Sequence, residues 1–181
     1  MLIAVLVLSL LVGFFTMTWW MPHEWYRALF YPGRRPNALS RRLNALSAWA
    51  GSLGVAPSFM VTIETQGRQS GKPSRVPLVV AEVRGERYLV SMLGENADWV
   101  RNTKAAGGAA VLIHGTTERV QLEEVAIAER APILKAYLRR APGGRPHFDV
   151  DVDAPLEEFI RVAPRYPVFL IKVYNREEGK P

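Results

Sequence analysis

The chain of 181 residues contains no cysteine, carries a formal net charge of +6, and is 49% hydrophobic. Without cysteine there can be no disulfide framework, thiolate nucleophile or zinc–cysteine site; the apolar content suffices for one packed domain with length left for an appendage. Residues 1–21 hold no Asp, Glu, Lys or Arg, so the whole net charge falls on the remainder. A basic domain suits nucleic acid, anionic lipid or a polyanionic small molecule, and charge alone does not choose among them.

The first segment reads MLIAVLVLSLLVGFFTMTWWM. A helix of about 20 apolar residues spans a bilayer core of roughly 30 Å. Trp19, Trp20, Trp25 and Tyr26 gather at its end, and Arg27, Arg34, Arg35, Arg41 and Arg42 follow. Neither a basic leader nor a small-residue cleavage site marks a signal peptide. The expectation is a transmembrane anchor over residues 1–21, contacting the membrane, with the C-terminal domain facing the cytoplasm. Residues 22–36, punctuated by Pro22, Pro32, Gly33 and Pro36, read as a linker. Residues 37–181 read as the folded domain.

Within that domain Leu39, Leu43, Leu46, Ala50 and Leu53 recur at helical spacing, and Gly51 and Gly54 close the run. Val61, Ile63 and Thr65 then alternate with polar neighbours as in a half-buried strand. Strands are expected over 75–83 and 87–92, joined at Gly85 as a hairpin. A short helix fits 97–106, ended by Gly107 and Gly108. Two more strands fit 109–114 and 118–125. A helix fits 127–140, a short one 156–162, and a last strand 167–174. About six strands with helices inserted between them, and no βαβ repeat, indicate a mainly antiparallel α+β barrel with its helices outside.

Two constellations carry chemistry. In the first, Gly67 and Gly71 let the chain turn sharply while Arg68, Lys72 and Arg75 surround the turn with positive charge. Backbone N–H groups and cations in that arrangement suit a phosphate or a carboxylate-rich ligand; an ordinary hairpin loop with solvated charges gives the same pattern. In the second, a strand ends at Ser91–Met92–Leu93 and a helix begins near Asn96 or Asp98. Helix starts expose unpaired N–H groups and favour anions. Trp99 and Asn102 share one face of that helix, and Arg101 and Lys104 another.

GRQSGKPSRVPL, the strand ending in VSM, and DWVRN followed by AAGG together resemble the motifs of the deazaflavin-dependent nitroreductase and quinone reductase family, over residues 59–173. The resemblance implies a split β-barrel of the FMN-binding type that binds coenzyme F420. It places the cofactor's phosphate and acidic tail at the 67–77 turn, led by Arg68 and Lys72, with Ser70, Gly71, Arg75, Val76 and Pro77 alongside. It brings Ser91, Met92 and Leu93 to the deazaflavin ring through backbone groups, and has Trp99 and Asn102 shape the pocket. Gln69 and Ser74 stand where the family often carries basic residues, and FMN is the alternative cofactor.

The implied function is transfer of hydride from reduced F420 to a quinone, nitro compound or other lipophilic acceptor. The alternative is a non-enzymatic protein that binds a flavin, deazaflavin or other small ligand. Because the cofactor carries the hard chemistry, no residue is named as catalytic; Tyr137, His147 and Tyr166 are candidates for the acceptor side or for proton donation. No metal site is expected, since the histidines lack ligand spacing and the Asp149, Asp151 and Asp153 loop lacks the glycine and terminal glutamate of a calcium loop. Nucleic acid is not an expected partner. A homodimer is consistent with the resemblance.

Overall fold

The computed structural model describes residues 9, 13, 21–54 and 56–174. Six strands close into an antiparallel barrel in the order β1-β2-β3-β6-β5-β4. In chain order the elements are α1 (His23–Phe30), α2 (Ala38–Ser52), β1 (Met60–Gln66), β2 (Pro73–Val83), β3 (Glu86–Val90), α3 (Asp98–Ala105), β4 (Ala109–His114), β5 (Thr116–Glu124), α4 (Arg130–Arg140), α5 (Leu156–Val162) and β6 (Val168–Val173).

The alternation in β1 explains how the barrel fills. Val61 and Ile63 point inward with Leu89, Leu112, Val120, Leu122 and Phe169. Thr62, on the opposite face, is buried too, because α2 lies over it and takes its hydroxyl at the Ala48 carbonyl, 2.8 Å away. The β2–β3 hairpin turns at Arg84 (φ 55°) and Gly85 (φ 82°), and Val83 pairs with Glu86. Positive φ at both central residues matches the right-handed twist of the strands. On the outside, α4 covers β2, β3 and β6 and α5 packs on α4, with Leu134, Leu138, Phe159 and Val162 in the shared core.

The expected helix over 127–140 divides. A 3₁₀ turn at Ile127–Glu129 precedes α4. Pro132 has no N–H to give, and its ring crowds the carbonyl four residues back, so it fits only the first turn of a helix that starts near Arg130.

The stretch read as a linker carries α1. Its Tyr26 and Phe30, one turn apart, bury together with Tyr31 against Met21, Leu43, Met92 and Leu93. The Ser40 hydroxyl donates to the Phe30 carbonyl at 2.6 Å, and Asn37 caps α2 by accepting from the Ser40 amide at 2.9 Å. These bonds fix α1 against the start of α2.

Two expectations are corrected. Among the described residues no helix is long and apolar enough to cross a membrane. The longest, α2, has 15 residues, about 22 Å of helix against a hydrocarbon core of roughly 30 Å. The fold class is therefore an α+β barrel of six strands with helices, and among the described residues no transmembrane helix precedes it. The membrane-anchored localisation, with the domain facing the cytoplasm, is withdrawn on the same finding. The segment on which both expectations rested, residues 1–21, lies outside the described residues except at Ser9, Gly13 and Met21.

Candidate functional site

The two sequence constellations meet. The β1–β2 turn closes on itself through the Gly67 amide to the Lys72 carbonyl (2.9 Å) and the Gly71 amide to the Gly67 carbonyl (2.8 Å). Gly71 has a φ of 65°, so only glycine fits there without strain. From the turn, Arg68 reaches α3. Its backbone N–H donates to Asn102 Oδ1 at 3.2 Å, and its Nη1 donates to the same oxygen at 3.0 Å and to Asp98 Oδ1 at 3.1 Å. Asn102 is buried at 4% exposure and donates its own amide to Thr65 Oγ1 at 3.3 Å.

The other residues of the turn divide by strand face. The Ser70 hydroxyl accepts from the Lys72 amide at 3.3 Å, which sharpens the bend. Lys72 is exposed and makes no ion pair among the described residues. Arg75 stands opposite Glu64 in the β1–β2 register and bonds it at 2.6 Å, so its charge is spent across the strands. Val76 and Pro77 sit further along β2, opposite Ile63 and Thr62.

The 91–93 loop lies at the other end of the site. The Ser91 amide donates to the Pro167 carbonyl at 2.9 Å, the Ser91 hydroxyl to the Gly94 carbonyl at 2.8 Å, and the Gly94 amide to the Ser91 carbonyl at 3.2 Å. Among the described residues this leaves the Met92 and Leu93 amides as the loop's remaining donors. Met92 and Leu93 pack under Tyr26, Phe30 and Tyr31, so α1 roofs the loop. Trp99 is a core residue: it is 4% exposed inside the barrel, edge-on to Phe169 with ring centroids 5.4 Å apart.

The three acceptor-side candidates sit away from the turn. Tyr166 is fully buried, stacks on Phe148 at 4.0 Å and donates its hydroxyl to the His147 carbonyl at 2.9 Å. The His147 ring packs against both Tyr26 and Tyr31, which also touch each other. Tyr137 is buried on α4. Burial pushes the phenols of Tyr26, Tyr31 and Tyr137 above the usual tyrosine range; for Tyr31, hydrogen bonds with Asn44 and Tyr26 oppose the effect.

A groove of about 1000 Å³ opens beside the turn, where β1 and β4 pair only from Thr62 to Glu64 and then part. Its floor is made of small residues such as Ala106, Ala109 and Ala110, and Arg119 and Tyr174 edge it. Of the expected site residues only Gly71 borders this space. Sequence reading missed three contributors. Asp98 was read only as a helix start, Tyr26 as one of the aromatics at the end of the apolar segment, and Tyr31 as part of a linker, although the spacing of Tyr26 and Phe30 is a helical signal.

Residues 34–156 match the profile of the family described as F420H(2)-dependent quinone reductase. Among solved structures, an F420-H2 dependent reductase, FDR-A, is 21% identical, covers 64% of this chain and 95% of its own, and has a TM-score of 0.43. An F420 reductase is 14% identical, with 68% and 92% covered and a TM-score of 0.43. A heme binding protein from Mycobacterium smegmatis is 15% identical, with 70% and 51% covered and a TM-score of 0.45. No curated protein matches the sequence. The assignment rests on the family profile, which covers well over half of the chain and both constellations: the chain belongs to the F420H2-dependent quinone reductase family, and is an oxidoreductase whose cofactor is coenzyme F420.

Proposed function

We propose that the 67–77 turn and the start of α3 hold the anionic end of coenzyme F420, and that the chain reduces a lipophilic acceptor of the quinone class. The observation that carries this reading is the state of Arg68. Its side chain is only 26% exposed, and its guanidinium is fixed to α3 through one nitrogen, Nη1. The N–H groups of Nε and Nη2 have no partner among the described residues. An arginine held in that way offers a planar donor fork to a phosphate or carboxylate.

The residues present fit such a cofactor. Lys72 adds a second cation on the turn, and Gly71 and Ser70 keep the backbone tight enough to approach an anion closely. Val76 and Pro77 continue the wall along β2. Asn102 holds Arg68 in register, and Trp99 fixes α3 from within the core. The Met92 and Leu93 amides, without a partner among the described residues, are the donors this reading assigns to the ring. When bound, the reduced deazaflavin supplies the hydride, so the protein's work is to hold ring and acceptor together and keep water away.

The test is a fluorescence titration of the full chain with oxidised F420 and, separately, FMN, followed by a quinone-dependent oxidation assay with reduced F420. Arg68→Ala and Lys72→Ala are expected to weaken F420 binding, Arg68→Ala by about tenfold or more, the value of a hydrogen bond to a charged group. Unchanged affinity in both variants overturns the placement. Preference for FMN overturns the cofactor pairing of this turn.

A further inference from the structure

Arg68 is shared by two acceptors of opposite character. We propose that Asp98 is a displaceable counter-ion that occupies Arg68 until the cofactor's anionic group takes its place, and so sets the affinity of the site. This inference rests on the reading of Arg68 as a cofactor ligand.

Both contacts fall on Nη1, at 3.0 Å from Asn102 and 3.1 Å from Asp98. Asn102 is neutral, buried, and tied on its other side to Thr65. It also holds the Arg68 backbone, so it cannot leave without loosening the turn. The Asp98 side chain is 76% exposed, and Arg68 is its one ion-pair partner among the described residues. An exposed ion pair is worth little in water, so this is the bond that gives way. The division of labour follows: Asn102 is a positioning residue that keeps the guanidinium in place, and Asp98 neutralises it while the site is empty. An anion arriving at the free Nε and Nη2 edge meets a guanidinium whose charge Asp98 already neutralises at Nη1, and the repulsion between the two anions drives the exposed carboxylate off, which favours a multiply charged ligand over simple anions.

The experiment is a double-mutant cycle read by F420 binding to the full-length protein. Asp98→Asn keeps size and polarity and removes the charge. It is expected to tighten F420 binding about two- to fivefold at low salt, the range of an exposed ion pair, and the gain is expected to shrink near 1 M salt, where the screening length falls to about 3 Å. In an Arg68→Ala background the same substitution is expected to give no gain, because the two side chains act as one unit. Glu95→Gln is the control, since Glu95 is also exposed and near the start of α3 but pairs with Lys104. Melting temperatures of each variant separate binding effects from folding.

If Arg68→Ala leaves F420 binding unchanged, the ligand reading of Arg68 fails and the proposal falls with it. If Arg68→Ala weakens binding while Asp98→Asn leaves it unchanged or weakens it, the ligand reading stands and the counter-ion proposal is overturned. A gain from Asp98→Asn that persists without Arg68, or that Glu95→Gln reproduces, also overturns it, because the effect is then one of general charge.

Discussion

Tyr31 meets His147 edge to face, with ring centroids 4.5 Å apart and planes at 86°, although one follows α1 and the other closes the loop after α4. With Tyr26 against the same imidazole, this contact holds the N-terminal helix down over Met92 and Leu93. Tyr31→Ala is expected to cost about 3 kcal/mol, at the low end for a buried aromatic because the cluster lies at the edge of the core. Urea denaturation measures the loss, and limited proteolysis between residues 22 and 36 should speed up. A loss below about 0.5 kcal/mol, the level of an ordinary surface change, with no new cleavage, would show that α1 is not docked.

The same cluster predicts an alkaline limit to stability. Burial raises the phenols of Tyr26, Tyr31 and Tyr137 above their unfolded value. Above about pH 10 the unfolded chain has lost these protons and the folded chain has kept them, so stability falls as pH rises. Below that pH the contribution is complete. Ultraviolet titration of the phenolates is expected to show these tyrosines ionising only together with unfolding. Tyr26→Phe, Tyr31→Phe and Tyr137→Phe combined should move the alkaline unfolding midpoint upward, and an unmoved midpoint would place its cause elsewhere.

Trp99 distinguishes core from pocket. Its indole is enclosed with Val100, Leu122 and Phe169 inside the barrel. Trp99→Ala is expected to destabilise by about 3–5 kcal/mol, whereas Trp99→Phe should keep F420 affinity within about twofold while lowering the melting temperature. A Trp99→Phe variant of unchanged stability that binds F420 tenfold more weakly would instead make the indole part of the cofactor pocket.

The sequence showed most where one residue type can do one thing. Gly85 marked the β2–β3 hairpin because its turn needs positive φ, and Gly107 with Gly108 marked the end of α3. The period-two pattern of Val61, Ile63 and Thr65 gave β1 and its inward face. What stayed hidden depended on partners distant in the chain. Nothing near Asn102 in the sequence says that its amide is spent on Arg68 and Thr65, more than 30 residues away. Nothing near Tyr26 says that His147 lies against it. The apolar run at the N-terminus is a strong local signal, but the residues that carry it are outside the described structure, and the first element after it, α1, packs on the barrel.

Arg75 and Arg68 flank the same turn, and sequence spacing alone makes them equivalent ligands. The structure separates them. Arg75 is paired with Glu64 across the β1–β2 ladder at 2.6 Å, with its side chain 58% exposed, so binding an anion there means breaking a cross-strand pair and leaving Glu64 alone. Arg68 keeps two of its nitrogens for a ligand and needs to release only the exposed Asp98. Arg75→Ala is therefore expected to change the F420 dissociation constant by less than about threefold and to cost about 0.2–1 kcal/mol of stability, as for an exposed pair. Arg68→Ala is expected to weaken F420 binding by about tenfold or more. Both constants come from one fluorescence titration at fixed, low ionic strength. If the two variants weaken binding equally, the Glu64 pair opens on binding, and the anion is held by both strands of the hairpin instead of by the link between the turn and α3.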